Sequence, residues 1–368
     1  MSTQIELYQK LHIPQVKQFN ERLKAGNVTM QFPERNSPSW LPKNQNSNLY
    51  QEYFLAFVNE TVRGGYILKH QDFFINGQVT TITDYQLPLS EGIVNPDFSD
   101  LGILLTINAL KKSPMLFAMG MGGFTEKLPK LLGAMGWKIS EINFHFMVLN
   151  PFNFLRKITF LRKKPLQRFI MDLLAYSGAG WFAIKAFHTL RRLKYSLGNL
   201  TVNQFVEFDE KADLLWDEVK NSYKLIAVRD SNTLNILYKS PRFLCLEIIE
   251  DQKFIGWVVL LDTNMNNHKQ FGSMRVGSVV DCLSHPINAS KVLNCATNYL
   301  IKRKVDIVVA NHSHIAWNKS FNQLGYIEGP SNYLFAASRD LAKHIKPFNE
   351  NKSQVYFMRG DGDGPINL

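Results

Sequence analysis

Three observations predict two tandem α/β domains, α+β in detail, each a mixed, mainly antiparallel sheet flanked by helices. The chain has 368 residues, more than the roughly 250 to 300 at which a single hydrophobic core stops growing. Hydrophobic residues make up 45% and charged residues 20%, ordinary for a globular chain, which excludes disorder, collagen-like repeats and a disulfide-stapled miniprotein. Finally, one order of strands and helices is read twice along the chain.

The opening gives a helix from Ile13, carried by Val16, Phe19 and Leu23. The Pro-rich passage from Phe32-Pro33 to Trp40-Leu41-Pro42 cannot continue it. Three strands follow, Tyr53 to Val58, Gly65 to Lys69 and Val79 to Leu87, rich in aromatic and β-branched residues. Asn59-Glu60 and Asn76-Gly77 separate them as turns, so the three form an antiparallel meander. Beyond a loop, Leu101 to Leu110 is apolar at helical spacing and Met115 to Met119 is a short apolar strand. A second helix runs from Glu126 to Met135, Gly136-Trp137 ends it, and Phe144 to Leu149 is the last strand. The first half is thus β-β-β-α-β-α-β.

The second half repeats that order. Phe243 to Ile249, Phe254 to Leu261 and Arg275 to Cys282 are strands. Ser290 to Lys302 is a helix, Asp306 to Ala310 a buried strand, and Ala316 to Leu324 a helix closed by Gly325-Tyr326. Echoes fall in the same order in both halves: Gly65-Tyr66 with Gly256-Trp257, Asp84 with Asp281, and Gly136-Trp137 with Gly325-Tyr326. The expected domains are 1–150 and 201–345, joined by a connector over 151–200. A flexible polar tail, 346–368, contains Gly360-Asp361-Gly362-Asp363-Gly364.

This doubled pattern, with its Gly-aromatic pair before a final strand, resembles the GNAT (N-acetyltransferase-like) superfamily in a tandem arrangement. The resemblance implies a splayed sheet in each half, an acetyl-CoA or other acyl-CoA co-substrate whose arm enters the gap, and a pyrophosphate on the amides that open the first core helix. The superfamily's Gln/Arg-x-x-Gly-x-Gly/Ala loop is met only in part. In the first half Gly92 lies in the loop and Gly102 sits near the glycine positions; in the second, His285 to Lys291 has no glycine, leaving Asn288, Ala289, Ser290 and Lys291 to present amides, with Asn311 at the mouth of the gap. Tandem domains of this kind also occur in Fem-type peptidyltransferases, which move an aminoacyl group from charged tRNA to a cell-wall precursor. The implied reaction is acyl transfer to an amine on a small molecule or cell-envelope precursor. Aminoacyl transfer from tRNA and a non-catalytic binding protein are the alternatives.

Such chemistry needs a base for the ammonium proton and an amide for the carbonyl oxygen. Asp281 and His285 flank the end of the second half's third strand, where a base would sit; the alternative is a turn-capping Asp and a surface His. Asn311-His312-Ser313-His314 is the densest polar cluster in the chain, with His312 as a catalytic candidate and a satisfied loop cluster as the alternative. No acid or cysteine stands at ligand spacing beside its His-x-His, so no metal is expected. In the first half Asp84, Ser90 and Glu91 lie along the third strand and its exit, with Glu91 a candidate base beside Gly92 or simply part of a turn. Arg229-Asp230 reads as a salt-bridged pair or an acceptor-binding loop. No Gly-x-Ser-x-Gly elbow, Walker loop or dinucleotide fingerprint occurs.

The formal net charge is +11, and residues 151–200 carry ten Lys/Arg against the single acid Asp172. Phe152, Phe154 and Phe160 interleave with Arg156, Arg162 and Lys163, a composition suited to an anionic membrane surface, a tRNA, or a linker packed between domains. The segment is too interrupted to span a bilayer, which needs about 20 apolar residues. Cys245, Cys282 and Cys295 have no CxxC spacing, and the N-terminus has no basic region followed by an apolar run. The expected location is the cytoplasm, with peripheral contact at the inner face of the membrane open to the basic segment.

Overall fold

The computed structural model describes residues 3–34, 41–43, 47–192 and 199–362; Trp40, Asp363 and Gly364, named above, lie outside them, as does Lys194 of the basic segment. The chain runs β1 (Thr3–Leu7), α1 (Ile13–Ala25), β2 (Tyr50–Val58), β3 (Thr61–Ile75), β4 (Gln78–Ser90), α2 (Leu101–Lys112), β5 (Leu116–Gly120), α3 (Lys127–Ala134), β6 (Lys138–Glu141) and β7 (Asn143–Val148). Three helices follow: α4 (Pro151–Lys157), α5 (Pro165–Tyr176) and α6 (Ala179–Arg192). Then come β8 (Leu200–Phe205), α7 (Glu210–Val219), β9 (Leu225–Ala227), α8 (Ser231–Leu237), β10 (Leu244–Glu250), β11 (Lys253–Asn264) and β12 (Arg275–Ser284). The chain closes with α9 (Ala289–Lys302), β13 (Ile307–His312), α10 (Ile315–Gln323), β14 (Ile327–Gly329), β15 (Leu334–Ala337), α11 (Arg339–His344) and the short β16 (Val355–Tyr356).

The hairpins follow from local chemistry. Asn59-Glu60, Asn76-Gly77 and Asp251-Gln252 each place two successive residues at positive φ, the geometry of a two-residue turn whose twist matches the flanking strands. Side chains then alternate. Phe54, Ala56 and Tyr66 pack with Leu101, Leu105 and Leu132 of α2 and α3, whereas Tyr53, Leu55 and Ile67 pack with Val16, Phe19 and Leu23 of α1. Each face of the meander therefore buries one helical layer.

Two compact units result, and they do not coincide with the chain halves expected above. Unit 1 comprises residues 1–140 and 334–351; unit 2 comprises 141–333 and 352–368. In unit 1 the strands are ordered β1-β2-β3-β4-β5-β15-β6, and in unit 2 β14-β7-β13-β12-β11-β10-β8. Each sheet thus draws on the other half of the chain: β15 pairs with β5 through Phe335↔Met119, and β7 pairs with β13 through Phe146↔Val309. The domain ends expected at 150 and 345 move because β6 and β7, separated only by Ile142, enter different units.

Two further expectations are corrected. The segment expected as a connector over 151–200 is, across its described residues 151–192, a layer of unit 2: Phe154, Leu155, Ile158 and Ala175 pack on Val276, Ile307 and Val309 of its sheet. The expected flexible tail is built in as far as the description reaches. β16 pairs with β9 through Val355↔Leu225, and Tyr356, Phe357 and Met358 are fully buried.

Candidate functional site

In both units a parallel strand pair begins and then stops. In unit 1, β4 and β5 pair at Thr83↔Leu116 and Asp84↔Phe117. Among the described residues no strand lies against β4 beyond Asp84 on this side, while the far edge of β5 stays covered by β15 as far as Gly120↔Leu334. At the point of parting Asp84 is only 1% exposed. Its Oδ2 accepts from Gln86 Nε2 at 2.8 Å; Gln86 Oε1 accepts from Gln51 Nε2 at 2.8 Å; and the Tyr53 hydroxyl donates to Gln51 Oε1 at 3.3 Å. Buried Lys69 stands opposite Asp84 in the register of β3 with β4, and a buried row of hydrogen bonds fixes the orientation of each member.

The loop that follows β4 leads to the start of α2. Glu91 is buried, but its carboxylate is gripped by two guanidiniums, Arg22 Nε at 2.9 Å and Arg63 Nη1 at 2.7 Å. That arrangement anchors the loop on α1 and β3 and occupies the lone pairs a base would need. Gly92 is required by packing, since a Cβ there would collide with the Phe98 carbonyl oxygen. Gly102, in the first turn of α2, has room: its Cβ would come no nearer than 3.8 Å to Ser90 Oγ and Leu131.

In unit 2 the corresponding parallel pair, β12 and β13, stops at Val279↔Ala310. Here the chain fills its own opening. Residues 355–361 run between the strand ends: Met358 bridges to His312, the Tyr356 hydroxyl donates to the Cys282 carbonyl, and Arg359 Nε donates to Asn311 Oδ1 at 2.9 Å. Ser313 Oγ donates to Val355 O at 2.6 Å and accepts from Phe357 N at 2.7 Å. The dense Asn311-His312-Ser313-His314 cluster therefore binds this segment.

Asp281 belongs to the same construction. Arg229, 1% exposed, donates to Asp281 Oδ1 at 3.1 Å and to both oxygens of Asp361 at 2.9 Å, and the Tyr238 hydroxyl donates to Asp281 Oδ2 at 2.8 Å. Arg229 thus pairs across the fold and not with its neighbour Asp230, which caps α8 by accepting from Thr233 N. Burial pushes the Asp281 carboxyl up to about 6, with the Arg229 guanidinium opposing the shift. Burial also drives His312 well below the usual imidazole range and His314 down to about 4, so both rings are neutral at pH 7. The His312 ring stacks on Trp317 at 5.4 Å and accepts from His314 N through Nδ1 at 3.0 Å.

The remaining candidates of the second half are engaged locally. His285 is exposed and accepts from Ile287 N; Asn288 precedes α9 and Ala289 is buried as its first residue. Ser290 Oγ donates to Ser320 Oγ at 3.0 Å, and Lys291 pairs with Glu250. Sequence reasoning noted Asp84 but set it below Glu91, and it missed the Gln51–Gln86 row. Polar residues at alternate positions of otherwise apolar strands were the available signal.

No protein-family model matches the sequence, and no curated protein does. Solved structures do match. A conserved Enterococcus faecalis V583 protein, a probable N-acyltransferase, aligns over 94% of this chain and 74% of its own with TM-score 0.52 at 8% identity. The chain has the GNAT fold. A GCN5-related N-acetyltransferase from Anabaena variabilis gives TM-score 0.52 at 9% identity, over 94% of this chain and 75% of that one. Saccharomyces cerevisiae N-myristoyltransferase with bound myristoyl-CoA and inhibitors gives 0.51 at 11%, over 92% and 79%. The GNAT likeness is one of architecture, and it extends along nearly the whole chain.

Proposed function

We propose that this GNAT-fold chain transfers an acyl group from an acyl-CoA to an amine, on a small molecule or a cell-envelope precursor, and that unit 1 does the work. The observation that carries the reading is the contrast at the parted strands: in unit 2 residues 355–361 occupy the place between β12 and β13, whereas β4 and β5 part without such a segment among the described residues. An acyl-CoA arm lying along β4 would gain the strand-like hydrogen bonds that β5 ceases to supply beyond Asp84. The loop from Glu91 to Asp100 and the amides of the first α2 turn, at Gly102, would face the pyrophosphate, where the helix dipole favours negative charge.

In this reading the amine attacks the thioester carbonyl, a C–N bond forms, the C–S bond breaks and the CoA thiolate leaves. The ammonium proton passes to Asp84, which the Gln86–Gln51–Tyr53 row holds in one orientation. Titration calorimetry with acetyl-CoA and longer acyl-CoAs tests the assignment, one site per chain being expected. Gly102→Asp is the informative variant. An acid in the first turn stabilises a helix by about 0.3 to 1 kcal/mol yet repels a pyrophosphate, so affinity should drop at least about tenfold while the melting temperature holds or rises. Heat from no acyl-CoA, or G102D binding as wild type, would remove the reading.

A further inference from the structure

The helical layer of unit 2 has two apolar faces, and only one has a partner within the unit. Met171, Leu174 and Ala175 of α5 turn inward onto the sheet cluster. On the other side Leu166, Phe169, Ile170 and Leu173, spaced i, i+3, i+4 and i+7, are all exposed, Phe169 to 66%. α6 repeats the arrangement: Gly180 is buried, with room for no more than a hydrogen between Leu155 and Leu174, while Trp181, Phe182 at 70%, Phe187 and Leu190 are exposed. Residues 152–190, about a tenth of the chain, hold nearly half of its exposed large apolar side chains among the described residues.

Cations border this surface, and acids do not. Asp172, the one acid of the layer, is held by Arg162 at 2.7 Å and Arg156 at 3.1 Å. Lys163, Lys164, Arg168, Lys185 and Arg191 form no ion pair among the described residues. Several lie beside the exposed aromatics: Lys163 Nζ is 5.3 Å from the Phe160 ring centre, Arg191 Cζ 5.0 Å from Phe187, and Lys185 Nζ 6.0 Å from Trp181. Long cationic side chains running along apolar rings keep their heads at a polar boundary while their stems cover apolar area.

We infer that the outer face of α5 and α6 docks in the plane of an anionic lipid bilayer, the aliphatic and aromatic stripe at the headgroup–acyl boundary and the cations on lipid phosphates. The inference stands independently of the acyl-transfer reading. No described helix is long and apolar enough to cross a membrane, so the contact is with the surface. A nucleic acid would satisfy the cations and stack on the rings, but it offers nothing to Leu166, Ile170, Leu173 and Leu190. A second copy of the face would set two bands of uncompensated cations against each other. An anionic bilayer answers both halves of the pattern, with each Lys or Arg near the surface contributing about 1 kcal/mol.

The test is flotation of the full chain with vesicles of phosphatidylcholine alone and with about 30% phosphatidylglycerol. The chain should float with the anionic vesicles and far less with the neutral ones. F169E/F182E should lower partition at least about tenfold with an unchanged melting temperature, since both side chains are exposed. K163E/K164E should do so only on anionic vesicles, more at low salt. The inference is overturned by absence from the anionic vesicles, by flotation insensitive to F169E/F182E, by conversion of a dimer to a monomer by F169E/F182E in lipid-free sedimentation, or by tight tRNA binding through these residues with no vesicle binding.

Discussion

The two parted strand pairs, β4 with β5 in unit 1 and β12 with β13 in unit 2, start from the same local grammar and end differently. In unit 2 residues 355–361 lie between the strand ends and are fixed by buried charge: Arg229 pairs with Asp281 and Asp361. In unit 1 the apex is lined by a row of hydrogen-bonded amides ending on Asp84, with buried Lys69 opposite it on β3. A polar cluster at such a position therefore has two meanings. It is structural where its hydrogen bonds end on the chain's own backbone, as for Ser313 with Val355 and Phe357, and a candidate for chemistry where they end on a carboxylate at an opening.

The comparison is broken most forcefully at Arg229. Arg229→Met leaves Asp281 and Asp361 buried without their cation, and a loss of about 3 to 5 kcal/mol is expected in urea unfolding. A loss below about 1 kcal/mol would mean that charge does not hold the segment in place. Asp84→Asn keeps size and burial but removes the base. Its expected effect is a fall in kcat of about 100-fold with acyl-CoA affinity unchanged, read by steady-state kinetics and calorimetry; equal losses in both would point to a structural role.

The neutral histidines sharpen the comparison through pH. His314 has its folded value depressed to about 4, so the unfolded chain binds the extra proton; its contribution is complete above the unfolded value of about 6.5 and is lost as pH falls towards 4. His314→Asn keeps a cap on α10 and should remove about one proton from the pH dependence of unfolding between these limits, worth about 2 kcal/mol at pH 5. An unchanged slope would place the proton uptake elsewhere. The smallest effect belongs to Lys291, which pairs with Glu250 at the start of α9. Lys291→Gln should cost less than about 1 kcal/mol and leave acyl-CoA affinity untouched; a tenfold loss of affinity would move the binding site to unit 2.

The sequence by itself determined what depends on neighbours along the chain. Asn76-Gly77 and Asn59-Glu60 fix their hairpins because two successive positive-φ residues impose a turn of one hand, and the alternation from Tyr53 to Val58 assigns each side chain a face. The exposed stripe on α5 was likewise present in the spacing of Leu166, Phe169 and Leu173, although only the packing of Met171 and Ala175 decided which apolar face stays outside. Tertiary structure alone decided the rest. It placed β15 beside β5 and β7 beside β13, paired Arg229 with acids 52 and 132 residues away and not with Asp230, and turned the apparent tail into the filling of a sheet. Edge polarity and turn chemistry act over a few residues, whereas the partner of a buried charge or a parted strand is chosen by whatever distant segment can bury the most apolar surface there while satisfying its hydrogen bonds.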